Sequence, residues 1–225
     1  MIKNILNLGD AALYCDFGEK VDKEINSIVI KYFKTIQNKK IEGINNLTPS
    51  YNKLIISYDM KKTNFKNIKK IIEDISIDQN EDLSSNKIEI PVCCDENFAL
   101  DIKRLEKKLN LNQENILDNF FAKEYFCYMT GFIAGMPFLG DLNENIRAKR
   151  LETPRVKVPK GSVGLTEQFA NIYTFESPGG WNIIGNSPIK IFDSDKEKEP
   201  NLINPGDTVV FKRIDISQYK RDYNE

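Results

Sequence analysis

In the second half of this sequence, the spacing of the apolar residues excludes a helical fold. From Tyr125 onward it consists of short apolar-rich runs separated by Gly and Pro, and none of them has the spacing of a helical face. Several short strands at close spacing are typical of a β-barrel or a β-sandwich. The runs are YFCYMTGF, VKVPKGSVGL, ANIYTF, WNIIGNSP, IKIFD and DTVVFKRI.

The first part of the chain combines strands with helical stripes. Two short strands, 2–8 and 11–17, are predicted on either side of a turn. A helix follows from Val21, with Asp22 and Glu24 in the first turn, where the helix dipole favours acidic groups. The expected buried positions are Leu13, Cys15 and Phe17 on the second strand and Ile25, Ile28, Val29, Tyr32 and Ile36 on the helix.

A second strand pair and helix come next. Residues 44–59 predict a strand, a turn at Pro49 and another strand, and Thr63 is the expected cap of the next helix. The order β-β-α-β-β-α indicates a compact α+β domain. Its second helix has the apolar stripe Phe65, Ile68, Ile72 and Ile75.

A polar stretch without periodicity, DQNEDLSSN at 78–86, is the expected linker. We therefore place the domain boundary near residue 85, giving an α+β domain over 1–85 and a β-barrel or β-sandwich domain over 86–225. The second domain is expected to open with a strand, KIEIPV, and two helices over 98–109 and 113–120, the latter capped by Asn112.

Charge and composition exclude several classes of function. The 225 residues contain 32 Lys plus Arg against 33 Asp plus Glu, so the net charge of −1 gives no electrostatic footprint for nucleic acid or an anionic membrane. The N-terminal apolar run is broken by Gly9 and Asp10, and no segment approaches the roughly 20 apolar residues of a membrane span. We expect a cytoplasmic protein.

The titratable residues limit the possible chemistry. The chain has no histidine, which excludes Ser-His and Cys-His nucleophile pairs and His-ligated metals. Cys15, Cys93, Cys94 and Cys127 lack the spacing of a zinc site, so no metal site is expected in this chain. The adjacent Cys93 and Cys94 are either a redox pair or, as we favour, thiols on opposite faces of a strand.

Four motifs are bounded by Gly or Pro: TGFIAGMPFLG (130–140), PRVKVPKGSVG (154–164), SPGGW (177–181) and NPGDTVVF (204–211). We interpret the last as a tight turn. The other three are equally compatible with turns and with a barrel mouth, where backbone amides beside Arg155 or Lys157 face an anion or carbonyl. Gly179 and Gly180 are expected to supply unusual backbone angles before Trp181, which is either a packing residue or a pocket wall.

Several segments together resemble one known family. YMTGFIAGMPFLGDL, PRVKVPKGSVGL, IYTFESPGGWNIIGNSPIKIFD and LINPGDTVVFKRI are similar to successive motifs of the family that contains the 5-oxoprolinase B subunit, the sporulation kinase inhibitor and the first subunit of allophanate hydrolase. LNLGDAAL, GINNLTPSYNKLIISYD and IEIPVCCDENFALDI extend the similarity over nearly the whole chain. The resemblance implies a small α+β domain followed by a cyclophilin-like β-barrel.

The resemblance also implies a function. It is that of the B subunit of an ATP-dependent 5-oxoprolinase, which opens 5-oxoproline to glutamate together with two partners. These are a second barrel-containing protein, of the 5-oxoprolinase C-subunit type, and a LamB/YcsF-like protein that serves as the A subunit. ATP is the cofactor at the level of the complex. The alternatives are a non-catalytic regulator that binds a histidine kinase, and allophanate hydrolase subunit 1.

No catalytic residue is identified, but the motifs give a candidate pocket for substrate or partner. If its residues share a barrel mouth, Trp181→Ala should damage function more than stability and Arg155→Ala should leave the fold intact. The pocket residues are Phe132, Gly135, Arg155, Tyr173, Ser177, Gly179, Gly180 and Trp181.

The chain departs from the family pattern at several positions, which leaves open whether its site is active. Asn119 stands where members usually have a histidine, and Phe169, Ala170 and Asn171 replace Gln-Thr-Gly. Ala134 replaces a proline and Asn186 an arginine.

Overall fold

The computed structural model describes residues 1–77 and 85–223, which fall into two compact units, Met1–Ser84 and Ser85–Glu225. Each unit has its own hydrophobic core. Most of the predicted linker, 78–84, lies outside the described residues. Within the described ranges, none of the helices is both long and apolar enough to cross a membrane.

The first unit is a four-stranded antiparallel sheet with two helices, in the predicted order β-β-α-β-β-α. The strands lie side by side in the order β1-β2-β4-β3. The elements are β1 (Asn4–Asn7), β2 (Ala12–Asp16), α1 (Lys23–Lys39), β3 (Ile44–Pro49), β4 (Lys53–Tyr58) and α2 (Phe65–Glu73).

Local chemistry sets both helix starts. The Asp22 carboxylate accepts from the backbone N–H groups of Glu24 and Ile25, so α1 begins directly after it. The predicted cap of α2 at Thr63 is wrong by one residue. The Thr63 N–H is held by the Asp59 carbonyl in the preceding turn, and Asn64, in an extended conformation, accepts from Asn67 N–H at 3.0 Å.

Strand alternation and the helix stripes build the core of this unit. Leu13, Cys15 and Phe17 are buried as predicted, because alternate residues of a strand face the same side. They pack with the buried residues of α1, β4 and α2: Val29, Tyr32, Ile36, Leu54, Ile56, Tyr58, Ile68 and Ile72.

The second unit is built around a closed seven-stranded barrel, which confirms the predicted fold class. Around the barrel the strands follow the order β10-β7-β6-β13-β5-β12-β9. All pairs are antiparallel except β5 with β13. The strands of this unit are β5 (Lys87–Cys93), β6 (Glu124–Thr130), β7 (Pro137–Gly140), β8 (Arg155–Val158), β9 (Ser162–Thr166), β10 (Phe169–Ile172), β11 (Ser177–Gly179), β12 (Asn182–Asn186) and β13 (Thr208–Ile214).

The remaining two strands, β8 and β11, pair with each other as a separate ribbon. The predicted strand IKIFD is absent from the regular structure. Only Phe192 in that run forms an isolated bridge, to Asn201, so its apolar pattern reflects packing rather than ladder formation.

Three helices and a 3-10 turn complete the unit: α3 (Ile102–Leu109), α4 (Gln113–Phe121), the turn Glu144–Ile146 and α5 (Ile216–Tyr223). Asn112 caps α4 as predicted, accepting from Asn115 N–H. The helix α3 starts four residues later than predicted, and α5 was not predicted. Asp215 opens α5 by accepting from the N–H groups of Ser217 and Gln218.

The main core of this unit combines one face of each barrel strand with α3 and α4. It includes Cys94, whereas Cys93 is buried outside it, so the two thiols point to opposite sides as expected, although only Cys93 belongs to β5. All four cysteines are free thiols. Burial raises the pKa of Cys94 to about 12, so the thiol stays protonated at neutral pH.

Candidate functional site

A second, smaller cluster lies on the opposite face of the strands β9, β10 and β12. Ala170 and Ile172 face the main core, so Asn171 and Tyr173 point the other way. On that side Tyr173 packs with Met136, Ile183 and the ribbon residue Val158. Most of the predicted pocket residues come together here, between the barrel and the β8–β11 ribbon.

Arg155 enters this region from β8 and is held by a buried carboxylate. Its Nη2 donates to Asp101 Oδ1 at 2.6 Å, and Asp101 Oδ2 accepts from the Ile183 backbone N–H at 2.7 Å. Asp101 therefore uses both oxygens here, so its side chain makes no hydrogen bond to α3, although Asp101 is the N-cap residue of that helix. The next basic residue, Lys157, is exposed and pairs with Glu176.

Gly179 and Gly180 act through their lack of a side chain, not through their backbone angles. Neither has a positive φ, which corrects the expected role. A Cβ atom at Gly179 would overlap the Tyr173 hydroxyl and lie 2.8 Å from Tyr173 Cζ. At Gly180 it would lie 3.1 Å from the Arg150 guanidinium. The two glycines thus let a tyrosine and an arginine approach the backbone closely.

Buried polar atoms without a hydrogen-bond partner are concentrated in this cluster. The described residues contain six such side-chain atoms, and four belong to this cluster or to the ribbon that packs on it: Arg155 Nη1, Asn171 Oδ1, Tyr173 OH and Ser177 Oγ. Unpartnered buried polar atoms are costly and rare in folded proteins. Their concentration at one place marks it as a candidate binding site.

The electrostatics of the cluster centre on Tyr173. Burial raises the pKa of its hydroxyl, and the neighbouring Arg150 and Arg155 charges act in the opposite direction. The Asn171 amide and the Trp181 backbone also lie beside the hydroxyl and lower its pKa, but neither is oriented to form a regular hydrogen bond with it. The hydroxyl is therefore a neutral donor in a positively charged setting.

Trp181 is half-buried at the edge of the cluster. Its ring makes an edge-on contact with Phe138, with the centroids 5.5 Å apart. The absence of a side chain at Gly164 makes room for it, since a Cβ there would lie 3.1 Å from Trp181 Cβ and 2.9 Å from Asn171 Oδ1. Trp181 thus both packs and borders the unpartnered polar atoms.

Phe132 and Gly135 do not join the other predicted residues at the Tyr173 hydroxyl. Both lie in the β6–β7 loop, where Phe132 is 68% exposed with a φ of 70°. Gly135, with a φ of 69°, packs against Phe192. Only Ile133 and Met136 of that loop reach the cluster.

Two important residues were missed in the sequence. Asp101 falls inside the helix predicted over 98–109, so it looks like an ordinary helical surface residue. Arg150 lies in a stretch without regular structure and carries no motif. Nothing local distinguishes either residue, because their partners are distant in the chain.

Comparison with known proteins is consistent with this architecture. The carboxyltransferase domain family, subdomains C and D, matches residues 3–203. This chain belongs to that family. It is 33% identical to the 5-oxoprolinase B subunit of Bacillus subtilis over 98% of both chains, and 30% identical to the 5-oxoprolinase B subunit of Haemophilus influenzae over 92% of this chain and 96% of the relative. The resemblance seen in the motifs is confirmed.

A solved structure supports the same fold. The crystal structure of TTHA0988 aligns with a TM-score of 0.82 and 27% identity, covering 92% of this chain. This chain spans only 40% of the length of that one.

The positions expected to depart from the family pattern have hydrogen-bond partners in this structure. Asn119 donates to the Asn115 carbonyl and accepts from Asn143, and Ala134 accepts from Thr174 through its carbonyl. Asn186 bonds to the Lys160 carbonyl and accepts from Tyr219.

Within the Phe-Ala-Asn run, only Asn171 lies in the polar cluster. Ala170 faces the main core, and Phe169 contacts Phe138 and Tyr128. The NPGD segment is a turn as predicted, with Gly206 at a φ of 99° and the Asp207 carboxylate accepting from Asn204 N–H.

Proposed function

We propose that this chain is the B subunit of an ATP-dependent 5-oxoprolinase, a hydrolase that opens 5-oxoproline to glutamate. The observation that carries the proposal is the end-to-end similarity to the 5-oxoprolinase B subunit of Bacillus subtilis, at 33% identity over 98% of both chains. A match of this extent leaves no large segment of either protein without a counterpart.

The proposed reaction suits a chain without histidine. A lactam is a poor electrophile, and transfer of the γ-phosphoryl group of ATP to the lactam oxygen, with release of ADP, makes its carbon reactive toward water. Water then opens the ring C–N bond, and a second water releases phosphate from the acyl phosphate that results. Stabilising the charge on these oxygens calls for fixed donors and cations rather than for an imidazole base.

The chain is proposed to work only in a complex, because its relatives in Bacillus subtilis and Haemophilus influenzae are each the B subunit of a 5-oxoprolinase. The proposed partners are a second barrel-containing protein, of the 5-oxoprolinase C-subunit type, and a LamB/YcsF-like protein that serves as the A subunit. The polar cluster around Tyr173 is the part of this chain proposed to face the substrate, and ATP is proposed to act at the level of the complex.

The proposal is tested by reconstitution. The chain is purified alone and with both partner proteins, and glutamate release from 5-oxoproline is measured with and without ATP. We expect ATP-dependent release by the full assembly and none by the chain alone. Full turnover by the isolated chain, or none by the assembly, contradicts the proposal. Allophanate as substrate and a sensor kinase in a pull-down test the two alternative functions in parallel.

A further inference from the structure

The four unpartnered atoms of the polar cluster form a defined set of donors and acceptors. Arg155 Nη1 can only donate a hydrogen bond, and Asn171 Oδ1 can only accept one. The hydroxyls of Tyr173 and Ser177 can do both. Asn171 is fully buried and Tyr173 is 1% exposed, so neither is satisfied by bulk water.

The charge around these atoms is positive. Asp101 neutralises Arg155 through Nη2, but Arg150 also stands beside the Tyr173 hydroxyl, and both arginines favour negative charge there. A ligand that satisfies the set must therefore offer several acceptor oxygens, at least one of them anionic, and one N–H group for Asn171.

We propose that these four atoms bind the carboxylate and the ring amide of a small cyclic amide acid. On this assignment Arg155, Tyr173 and Ser177 donate to the ligand oxygens, while Asn171 accepts from the ring N–H. The inference rests on the proposed function for its ligand, 5-oxoproline, which has this combination of groups. It adds the residues that would recognise that ligand and the group that each would bind.

The β8–β11 ribbon controls the access of a ligand to the four atoms. Because the four atoms are buried, a ligand reaches them only when the ribbon moves away from the barrel face. Among the described strands the ribbon pairs with itself rather than with the barrel, so this movement breaks no barrel ladder, but it is opposed by the Arg155–Asp101 pair that links β8 to the barrel. Its outer side is open to solvent, with Val156 80% exposed.

The fluorescence of Trp181 allows a direct test on the full chain. Trp181 is the only tryptophan in the sequence and borders the cluster, so its emission reports on ligand binding there. We expect a saturable change on titration with 5-oxoproline. Two analogues each lack one of the recognised groups: proline lacks the ring carbonyl, and pyrrolidinone lacks the carboxylate. Each should bind at least about tenfold more weakly than 5-oxoproline, because a hydrogen bond to a charged group is lost.

Matched tyrosine variants separate recognition from structure. Tyr173→Phe and Ser177→Ala each remove only an unpartnered hydroxyl, so each should weaken 5-oxoproline binding about tenfold or more without lowering the melting temperature. The control is Tyr125→Phe. Its hydroxyl donates to the Phe120 carbonyl at 2.8 Å inside the main core, so this change should lower the melting temperature and leave binding unchanged.

The inference is wrong if millimolar 5-oxoproline gives no saturable response, or if Tyr173→Phe and Ser177→Ala bind as the unmodified chain does. It is also wrong if Tyr173→Phe lowers the melting temperature as much as Tyr125→Phe, because the hydroxyl would then have a structural partner. Turnover by the full assembly without binding by this chain overturns the inference alone. Binding without turnover by the assembly overturns the proposed function alone.

Discussion

Arg155, which is partly exposed, forms an ion pair with the buried Asp101 across 54 residues of sequence, with Nη2 of Arg155 2.6 Å from Oδ1 of Asp101. The second oxygen of Asp101 binds the backbone of Ile183. A single carboxylate thus ties the ribbon strand β8 to the barrel strand β12. The pair also fixes the orientation of Arg155, which leaves Nη1 unpartnered.

This relationship changes what Arg155→Ala should do. The sequence alone suggested that the fold would stay intact, but the variant leaves the buried Asp101 carboxylate without its counter-charge. We expect a loss of about 3–5 kcal/mol in the free energy of unfolding. Chemical denaturation measures it. Lys157→Ala on the same strand, which breaks only the exposed pair with Glu176, should cost no more than about 1 kcal/mol. Equal effects of the two variants would contradict the buried pairing.

Gly179→Ala should destabilise the protein through a steric clash with Tyr173. The added methyl group would overlap the hydroxyl and contact the ring, so we expect a loss of about 1–3 kcal/mol. Adding Tyr173→Phe should recover part of the free energy of unfolding that Gly179→Ala loses. A double-mutant cycle in denaturant measures this coupling. Gly180→Ala is the matched control, because its closest neighbour is the mobile end of Arg150. Additive effects of Gly179→Ala and Tyr173→Phe would exclude the clash.

Trp181→Ala should affect function more than stability. The ring is half-buried, so its removal should cost less than the about 3–5 kcal/mol typical of a fully buried aromatic residue. Phe120→Ala, in the main core, serves as the reference for full burial. Thermal melting of both variants, together with glutamate release by the assembly, checks this. Collapse of the fold in Trp181→Ala would identify the residue as a core packing residue only.

The cysteines should be unreactive in the folded protein. All four are buried, and burial raises the pKa of Cys15 and of Cys94 to about 12, so almost no thiolate is present at neutral pH. A thiol reagent at pH about 8, slightly below the usual thiol pKa, should therefore react slowly with the native chain and rapidly with all four thiols in denaturant. Fast reaction of Cys93 or Cys94 in the native state would instead support the interpretation of these two residues as a redox pair.

The sequence by itself determined most of the secondary structure and the family. The stripes of Val29, Tyr32 and Ile36 and the alternation of Leu13 and Cys15 are local patterns, and they predicted the first unit because each depends only on neighbours a few residues away. The short Gly- and Pro-bounded runs predicted a barrel or a sandwich for the same reason, and the family resemblance indicated the barrel.

The tertiary structure decided which polar groups meet. Arg155 and Asp101, or Tyr173 and Gly179, are brought together only when the barrel closes and the ribbon lies over one face of it. No local pattern records such contacts, so the sequence suggested unusual backbone angles at Gly179 where the structure requires empty space. The placement of Asn171 and Tyr173 away from the main core follows from strand alternation, but what covers them depends on long-range packing. That packing leaves Asn171 Oδ1 and the Tyr173 hydroxyl without hydrogen-bond partners.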